Sequence, residues 1–316
     1  MPSHSFDYII FRMNALPAKD RAMQTHASMV SAAPLVGAKA GISLKSMHFD
    51  DILAKRPDID FFEIHTENYM SPGGFALEFL HEIAGFYPVL FHGVGLSMAA
   101  AGGIDVAYAR SIKHVLDVHQ PPIVSEHLAW SGHSGVYLND LLPIPYTESS
   151  LNVVIENVRV AQDILERQLL IENPSIYMSF DDDTMNETTF LAELVAATGC
   201  GILLDVNNVY VTAHNREESA VDYIRACAAL PVQEYHLAGH HRAYIDDAVL
   251  LIDDHGAAIA QDVWNLYALA VEICGAQPTL IEWDTNIPPI DTLLAEAHKA
   301  ATVQQRVCGC TRGSDA

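Results

Sequence analysis

Residues 60–65 read DFFEIH, a run of strand length that is mostly apolar and closes on a histidine. The next such run, PVLFH at 88–92, also closes on a histidine, and the segment 75–86 between them has helical length. A short apolar run with a polar end, followed by a helix, is the βα unit. Working outward, GISL (41–44), PIVSEH (122–127), LLIEN (169–173), GILLD (201–205), QEYHL (233–237) and PTLIE (278–282) bring the set of such runs to eight. Helical segments are expected at 105–119, 147–167, 188–198, 219–229, 258–275 and 289–301, several opened by Thr, Ser, Asp or Pro near the first turn. Eight units in one chain predict an α/β fold, the TIM (β/α)8 barrel, which typically needs ~250 residues plus insertions. The barrel is expected over 39–303, with a flexible N-terminal extension at 1–38 and a flexible C-terminal tail at 304–316.

Composition narrows the partners. Half of the 316 residues are hydrophobic and 18% are charged, enough apolar surface for one large core. Lys and Arg total 17 against 40 Asp and Glu, a formal charge of -23 that repels phosphate backbones and anionic membrane surfaces. No nucleic acid and no membrane is therefore expected among the partners. No apolar run approaches the ~20 residues that cross a bilayer. Cys200, Cys227, Cys274, Cys308 and Cys310 lack zinc-ribbon or redox-motif spacing, which fits a reduced cytoplasmic compartment. Cys308 and Cys310 belong to an end expected to fray. The patch YIIF near the N-terminus lacks the order of a secretion signal, and Met29 offers an alternative start.

Parallel strands covered on both faces are apolar throughout, so polar residues collect at their ends. From the second strand to the eighth those ends hold His65, His92, Glu126 with His127, Glu172 with Asn173, Asp205, His236 and Glu282. In a barrel these positions meet at one mouth, where such folds build active sites. One histidine or carboxylate at a strand end is ordinarily a cap or a loop anchor. Seven strands doing so would crowd like charges, which cations neutralise most simply, and a hydrogen-bonded polar ring without an ion is the alternative. Imidazole, carboxylate and amide without thiolate suit iron, manganese or zinc in open geometry. More donors than one ion needs imply several ions, and Glu126 is the expected bridging carboxylate.

The motifs EIHTENYM (63–70), FHGVGLS (91–97), VSEHLAW (124–130), YLNDLLPIPYT (137–147), IENPS (171–175), LLDVNNVYV (203–211), HLAGH (236–240) and LIEWD (280–284) carry a resemblance. Together they resemble the MbnB/TglH-like family of multinuclear non-haem iron oxygenases, over about residues 40 to 300, and within it the bufferin-maturation branch acting on copper-related ribosomal peptides. The resemblance implies a xylose-isomerase-like barrel with two or three Fe ions, mixed Fe(II)/Fe(III), and O2 as co-substrate. Carried onto this sequence, His65 and His92 resemble ligands of one iron, Glu126 the bridge, and Asn173, Asp205, His236 and Glu282 ligands of the rest. In the methanobactin enzyme of that family a His lies three residues after the sixth-strand Asp and an Asp two after the seventh-strand His. Here those positions hold Asn208, kept as a candidate ligand, and Ala238, with His240, Asp253 or His255 as substitutes. Glu126, His127 and Asp284 are the candidate catalytic residues: His127 with Trp130 to line the pocket, Asp284 to orient a ligand. Gly93 and Gly95 would let a peptide approach closely, or form a tight turn, and His214 is expected in a loop with no ligand role.

The activity so implied is oxidation of cysteine in a ribosomally synthesised precursor peptide to a heterocycle such as an oxazolone-thioamide or thiooxazole, with a precursor-binding partner protein. Barrels with the same residue types also serve divalent-metal sugar isomerases and hydrolases, which work without oxygen. A non-catalytic metal- or peptide-binding protein is the third reading.

Overall fold

The computed structural model describes residues 37–133, 136–246 and 248–309, together with Leu35. Most of the expected N-terminal extension, and residues 310–316 of the expected tail, lie outside the described residues. Among the described residues there are twelve strands: β1 (Ala40–Ser43), β2 (Phe61–His65), β3 (Val89–Gly93), β4 (Val124–His127), β5 (Trp130–His133), β6 (Val136–Leu142), β7 (Leu170–Glu172), β8 (Gly201–Asp205), β9 (Val232–Leu237), β10 (His241–Ile245), β11 (Ala248–Ile252) and β12 (Thr279–Ile281). Eight close a parallel barrel in the order β1-β12-β9-β8-β7-β4-β3-β2, and they are the eight runs expected from sequence. Closure is made by β1 on β12, with Ala40 opposite Thr279 and Ile42 opposite Ile281.

Around the barrel run α1 (Phe49–Lys55), α2 (Phe75–Ala84), α3 (Val106–His119), α4 (Glu148–Leu165), α5 (Glu187–Thr198), α6 (Val206–Asn215), α7 (Ala220–Ala226), α8 (Gln261–Cys274) and α9 (Ile290–Cys308). Their starts are set by side chains that accept the first free backbone N–H groups. Thr147 and Ser150 form a capping box on α4, Asp105 accepts from Ala107 and Tyr108 on α3, and Asn186 accepts from Thr189 on α5. The last helix reaches Cys308, so residues 304–308 are helical where a tail was expected.

Four elements were not foreseen. The helix α1 is short, and α6 follows β8 with no loop, because Asp205 ends the strand and caps the helix at once, accepting from the Asn208 N–H. His214, expected in a loop, therefore lies on α6. The other two are antiparallel pairs inserted after barrel strands, β5 with β6 and β10 with β11.

Side chains alternate across each strand. Phe62, Ile64, Phe91, Val124, Ile171, Leu204, Tyr235 and Ile281 face the helices and belong to the main apolar core. The opposite face of the same strands fills the barrel interior, whose floor is a separate cluster of Phe61, Leu90 and Leu280. Phe61 is buried completely, and its ring occupies the space where a Cβ on Gly41 of the adjacent strand would sit, 2.4 Å from the nearest ring carbon. Gly41→Ala is expected to destabilise the barrel by about 1–3 kcal/mol through overpacking. Urea denaturation checks this, and a stability equal to the parent would show that the floor repacks freely.

Candidate metal centre

Pairing register sets the mouth. In the parallel ladder His65 stands beside His92, His127 beside Glu172, and Asp205 beside His236. His65 and His92 share the parity of the floor residues Phe61 and Leu90 on their strands, and His127, Glu172, Asp205 and His236 are opposite in parity to the outward Val124, Ile171, Leu204 and Tyr235. Glu282 follows β12 and donates its N–H to the Leu237 carbonyl, which places it beside the end of β9. From seven strands, His65, His92, His127, Glu172, Asp205, His236 and Glu282 meet, with Asp284 and His255 closing the ring from loops.

Donor atoms crowd one another within the ring. Nε2 of His92 and Nε2 of His127 lie 3.4 Å apart, and Glu172 Oε2 is 3.2 Å from the first and 3.3 Å from the second. Nδ1 of His127 donates to the Gly93 carbonyl at 3.1 Å, so its Nε2 carries a lone pair in the neutral ring. Nδ1 of His92 meets Ser125 Oγ at 2.7 Å. Burial holds His92 well below the usual imidazole range, aided by His127 and His236, and burial lowers His127 to about 4. Two neutral rings thus aim at one point with a carboxylate oxygen that has no hydrogen-bond partner.

Three further orphans surround that point. Asp205 Oδ2, His236 Nε2 and His255 Nε2 are buried without a hydrogen bond. His236 Nε2 is 3.1 Å from Glu63 Oε1, and His255 Nε2 is 2.8 Å from Asp253 Oδ1; close contacts, but not aligned as hydrogen bonds. Their other nitrogens are taken: Nδ1 of His236 lies 3.1 Å from Glu282 Oε2, and Nδ1 of His255 lies 3.0 Å from Asp284 Oδ2. Such crowding of unpaired donors in a buried cup costs several kcal/mol unless something charged sits among them. Five overlapping triads have donor atoms within 4.8 Å of one another: Glu63, His92 and His236; His92, His127 and Glu172; His65, Glu282 and Asp284; Glu172, Asp205 and His236; Asp205, His255 and Glu282. The residues present fit divalent cations, and the sharing of Glu172, Asp205 and Glu282 between triads fits more than one.

The structure brings together His65, His92, Asp205, His236 and Glu282 of the ligands expected from sequence, with His127 and Asp284 beside them. Glu126 is in none of these imidazole and carboxylate triads, while the amides of Asn173 and Asn208 lie beside Asp205 and Glu172. Glu126 and Asn173 sit one residue out of step, so alternation turns them to the outer face. Glu126 accepts from Leu96 N at 3.1 Å and His127 N at 3.0 Å, and Asn173 engages both main-chain groups of Asp205 through its amide. Burial, then Glu67, raises Glu126 to about 8. Asn208 donates to Glu172 Oε1 at 3.3 Å and so orients a donor from behind. Glu172 occupies the shared position expected of Glu126. Glu63, one turn of the pleat below His65, was missed, and its parity on β2 was the available signal. Of the proposed substitutes, His255 enters a triad, Asp253 backs it, and His240 reaches Asp253 through Asn207. Trp130 donates to the Pro143 carbonyl. The space beside Gly93 and Gly95 is filled by the protein itself, Glu126 Oε2 at one and the Tyr108 hydroxyl at the other.

Fold and site define a TIM-barrel protein with a multidonor candidate metal centre at its mouth. Residues 39–305 match the family described as RiPP precursor modification enzyme MbnB/TglH/ChrH. A UPF0276 protein of Psychromonas ingrahamii is 40% identical over 269 residues, covering 85% of this chain and 95% of that one. Another of Rhizobium meliloti is 44% identical over 269 residues, covering 84% and 87%. Among solved structures, D-psicose 3-epimerase with D-fructose superposes with a TM-score of 0.55 at 14% identity, covering 86% of this chain and 100% of that one. A xylose isomerase domain protein from Planctomyces limnophilus gives 0.54 at 14%, covering 88% and 99%; at these identities the likeness is one of fold. The chain belongs to the MbnB/TglH/ChrH family of RiPP precursor modification enzymes.

Two outcomes test the centre. Glu172→Gln should lower bound metal by about one equivalent, while Glu126→Gln retains it, read by elemental analysis of the purified protein. Burial raises Glu172 well above the carboxylate range, and burial with Asp253 brings Asp205 to about 7, so in the metal-free protein these ligands hold protons that a cation must displace. Affinity for Fe2+, titrated without oxygen, should therefore rise by more than tenfold, toward about a hundredfold, per pH unit from pH 6 to 7. A flat profile would mean that no proton is lost on binding.

Proposed function

We propose that this protein is a multinuclear iron-dependent oxygenase that oxidises a cysteine of a ribosomally synthesised precursor peptide to a heterocycle, with O2 as co-substrate. The supporting observation is the set of overlapping, unpaired imidazole and carboxylate donors in a buried mouth, in a chain whose family modifies peptide precursors. Iron, when bound, would supply the redox equivalents and the Lewis acidity that amino-acid side chains lack. His92, His127, Glu172, Asp205, His236, His255, Glu282, His65 and Asp284 would hold it, with Glu63 beneath.

The chain's own groups account for the rest. Ser125 and the Gly93 carbonyl fix the rings of His92 and His127 with Nε2 inward, and Asp284 does the same for His255. The Lys45 ammonium, paired with Asp284, lies at the rim. Glu234, fully buried beneath the ring with both oxygens unpartnered, is raised well above the carboxylate range by burial and by Glu63, and so keeps a proton close to Glu63. The mouth framed by these groups would hold a peptide thiolate and its β-carbon beside the centre. The bufferin-maturation type of substrate, a precursor-binding partner protein and a cytoplasmic site of action complete the proposal. No described helix is long and apolar enough to cross a membrane.

Anaerobically purified protein should contain two or three irons per chain by elemental analysis and Mössbauer spectroscopy. Given a cysteine-containing precursor, it should consume O2 and change the peptide's mass at cysteine. His236→Ala should abolish both. Turnover of a sugar without oxygen, or an iron-loaded protein that leaves every such precursor unchanged, defeats the reading.

A further inference from the structure

The pair of strands β10 and β11 treats its two outer edges differently. On β11 the outward backbone is covered by α6: the Asn215 side chain donates to the Leu251 carbonyl at 2.8 Å and accepts from its N–H at 2.9 Å, and His214 Nε2 meets the Val249 carbonyl at 3.1 Å. In an antiparallel pair, residues opposite one another turn their backbone groups the same way relative to the ladder. Leu251 is opposite Arg242 and Val249 opposite Tyr244, so Arg242 and Tyr244 also turn theirs outward, on the far side of β10. Among the described residues nothing bonds to those two N–H and two carbonyl groups. Arg242 is exposed, and Tyr244 and Ile245 beside it are 77% and 55% exposed.

An open strand edge is a template for another strand, and proteins ordinarily cover or charge one. Here one edge is covered and the other carries bare backbone and large apolar side chains. Both feet of the hairpin also connect to the donor ring through its backing residues. His240, just before β10, holds Asn207 at 2.8 Å; Asn207 donates to Asp253 at 2.7 Å; and Asp253, just after β11, lies 2.8 Å from His255 Nε2. Tyr177, from the loop after β7, accepts the Asp253 N–H and stands half-exposed beside Met178, which is 57% exposed.

We propose that the outer edge of β10 receives an extended segment of the peptide substrate as a third strand, which lays the adjoining cysteine across the mouth. This rests on the reading of the chain as a peptide-modifying enzyme. The chain's charge of -23, with Asp246 at the hairpin's turn and Asp254 at its foot, selects a segment carrying more Lys and Arg than Asp and Glu. Main-chain hydrogen bonds to Arg242 and Tyr244 give the register, and Tyr244 and Ile245 supply apolar contact.

A displayed library of twelve-residue peptides, each with one cysteine, sorted against the metal-loaded full chain, supplies the probe. Enriched peptides should be basic and should slow amide exchange at Arg242 and Tyr244. They should bind Tyr244→Pro at least about tenfold more weakly, since proline removes an outward N–H while leaving the β10 and β11 ladder intact. Tyr244→Ala should bind within a few-fold of the parent, and both variants should keep the parent's metal content and melting temperature. Peptides that bind the parent and Tyr244→Pro alike, or that are acidic, overturn the edge while leaving peptide modification standing. No binder from any sort, together with no mass change in a co-expressed precursor, removes both readings.

Discussion

A closed parallel barrel allows each strand only one parity of residue to face its axis, and that constraint organises this molecule. The inward row descends from the ring of His65, His92, His127, Glu172, Asp205, His236 and Glu282 through Glu63, Ser125 and Glu234 to the floor of Phe61, Leu90 and Leu280. The outward row is the apolar core under the helices. Because each residue is held by a ladder of backbone hydrogen bonds, the donors are fixed before any cation arrives, as a pre-organised site requires.

Within the ring, charge divides into two halves. The rings of His92 and His127 are driven neutral by burial, whereas for His236 and His255 nearby carboxylates overcome burial and raise both well above the imidazole range. Glu282, against the same burial, is held well below the carboxylate range by His255, His236 and His65. One half therefore offers lone pairs, and the other compensates itself by ion pairs that a cation would replace. The asymmetry comes from Glu63 and Glu282 around His236, and from Asp253, Glu282 and Asp284 around His255.

Much of this was legible in the sequence, and what was missed has identifiable physical causes. The eight strands were found because buried parallel strands are apolar runs with sharp polar ends, and the barrel followed from their number. The resemblance, carried over by position, put Glu126 and Asn173 among the ligands, whereas counting by twos from His127 and Glu172 turns both to the outer face of the barrel. The helix α6 was hidden because Asp205 joins strand to helix with no turn residue between them. The hairpins were hidden because β10 and β11 occupy what composition reads as connecting loop. Neither Gly93 nor Gly95 announces that a carboxylate or a phenol fills the space its missing side chain leaves.

Those two glycines show how the outward face acts on the ring without touching it. Glu67 accepts from Val94 N and from the Tyr108 hydroxyl, each at 3.0 Å, and Glu126 accepts from Leu96 N, so two carboxylates clasp the loop that leaves β3. The clasp requires Gly93 and Gly95, since a Cβ at either would meet Glu126 or Tyr108 at 2.4 Å or less. The carbonyl that the clasp fixes, that of Gly93, is the one that takes the Nδ1 proton of His127 and leaves Nε2 bare beside His92 and Glu172. Glu126 therefore acts on the ring through the backbone of the loop after β3, which accounts for a conspicuous acid at a strand end that faces away from the axis.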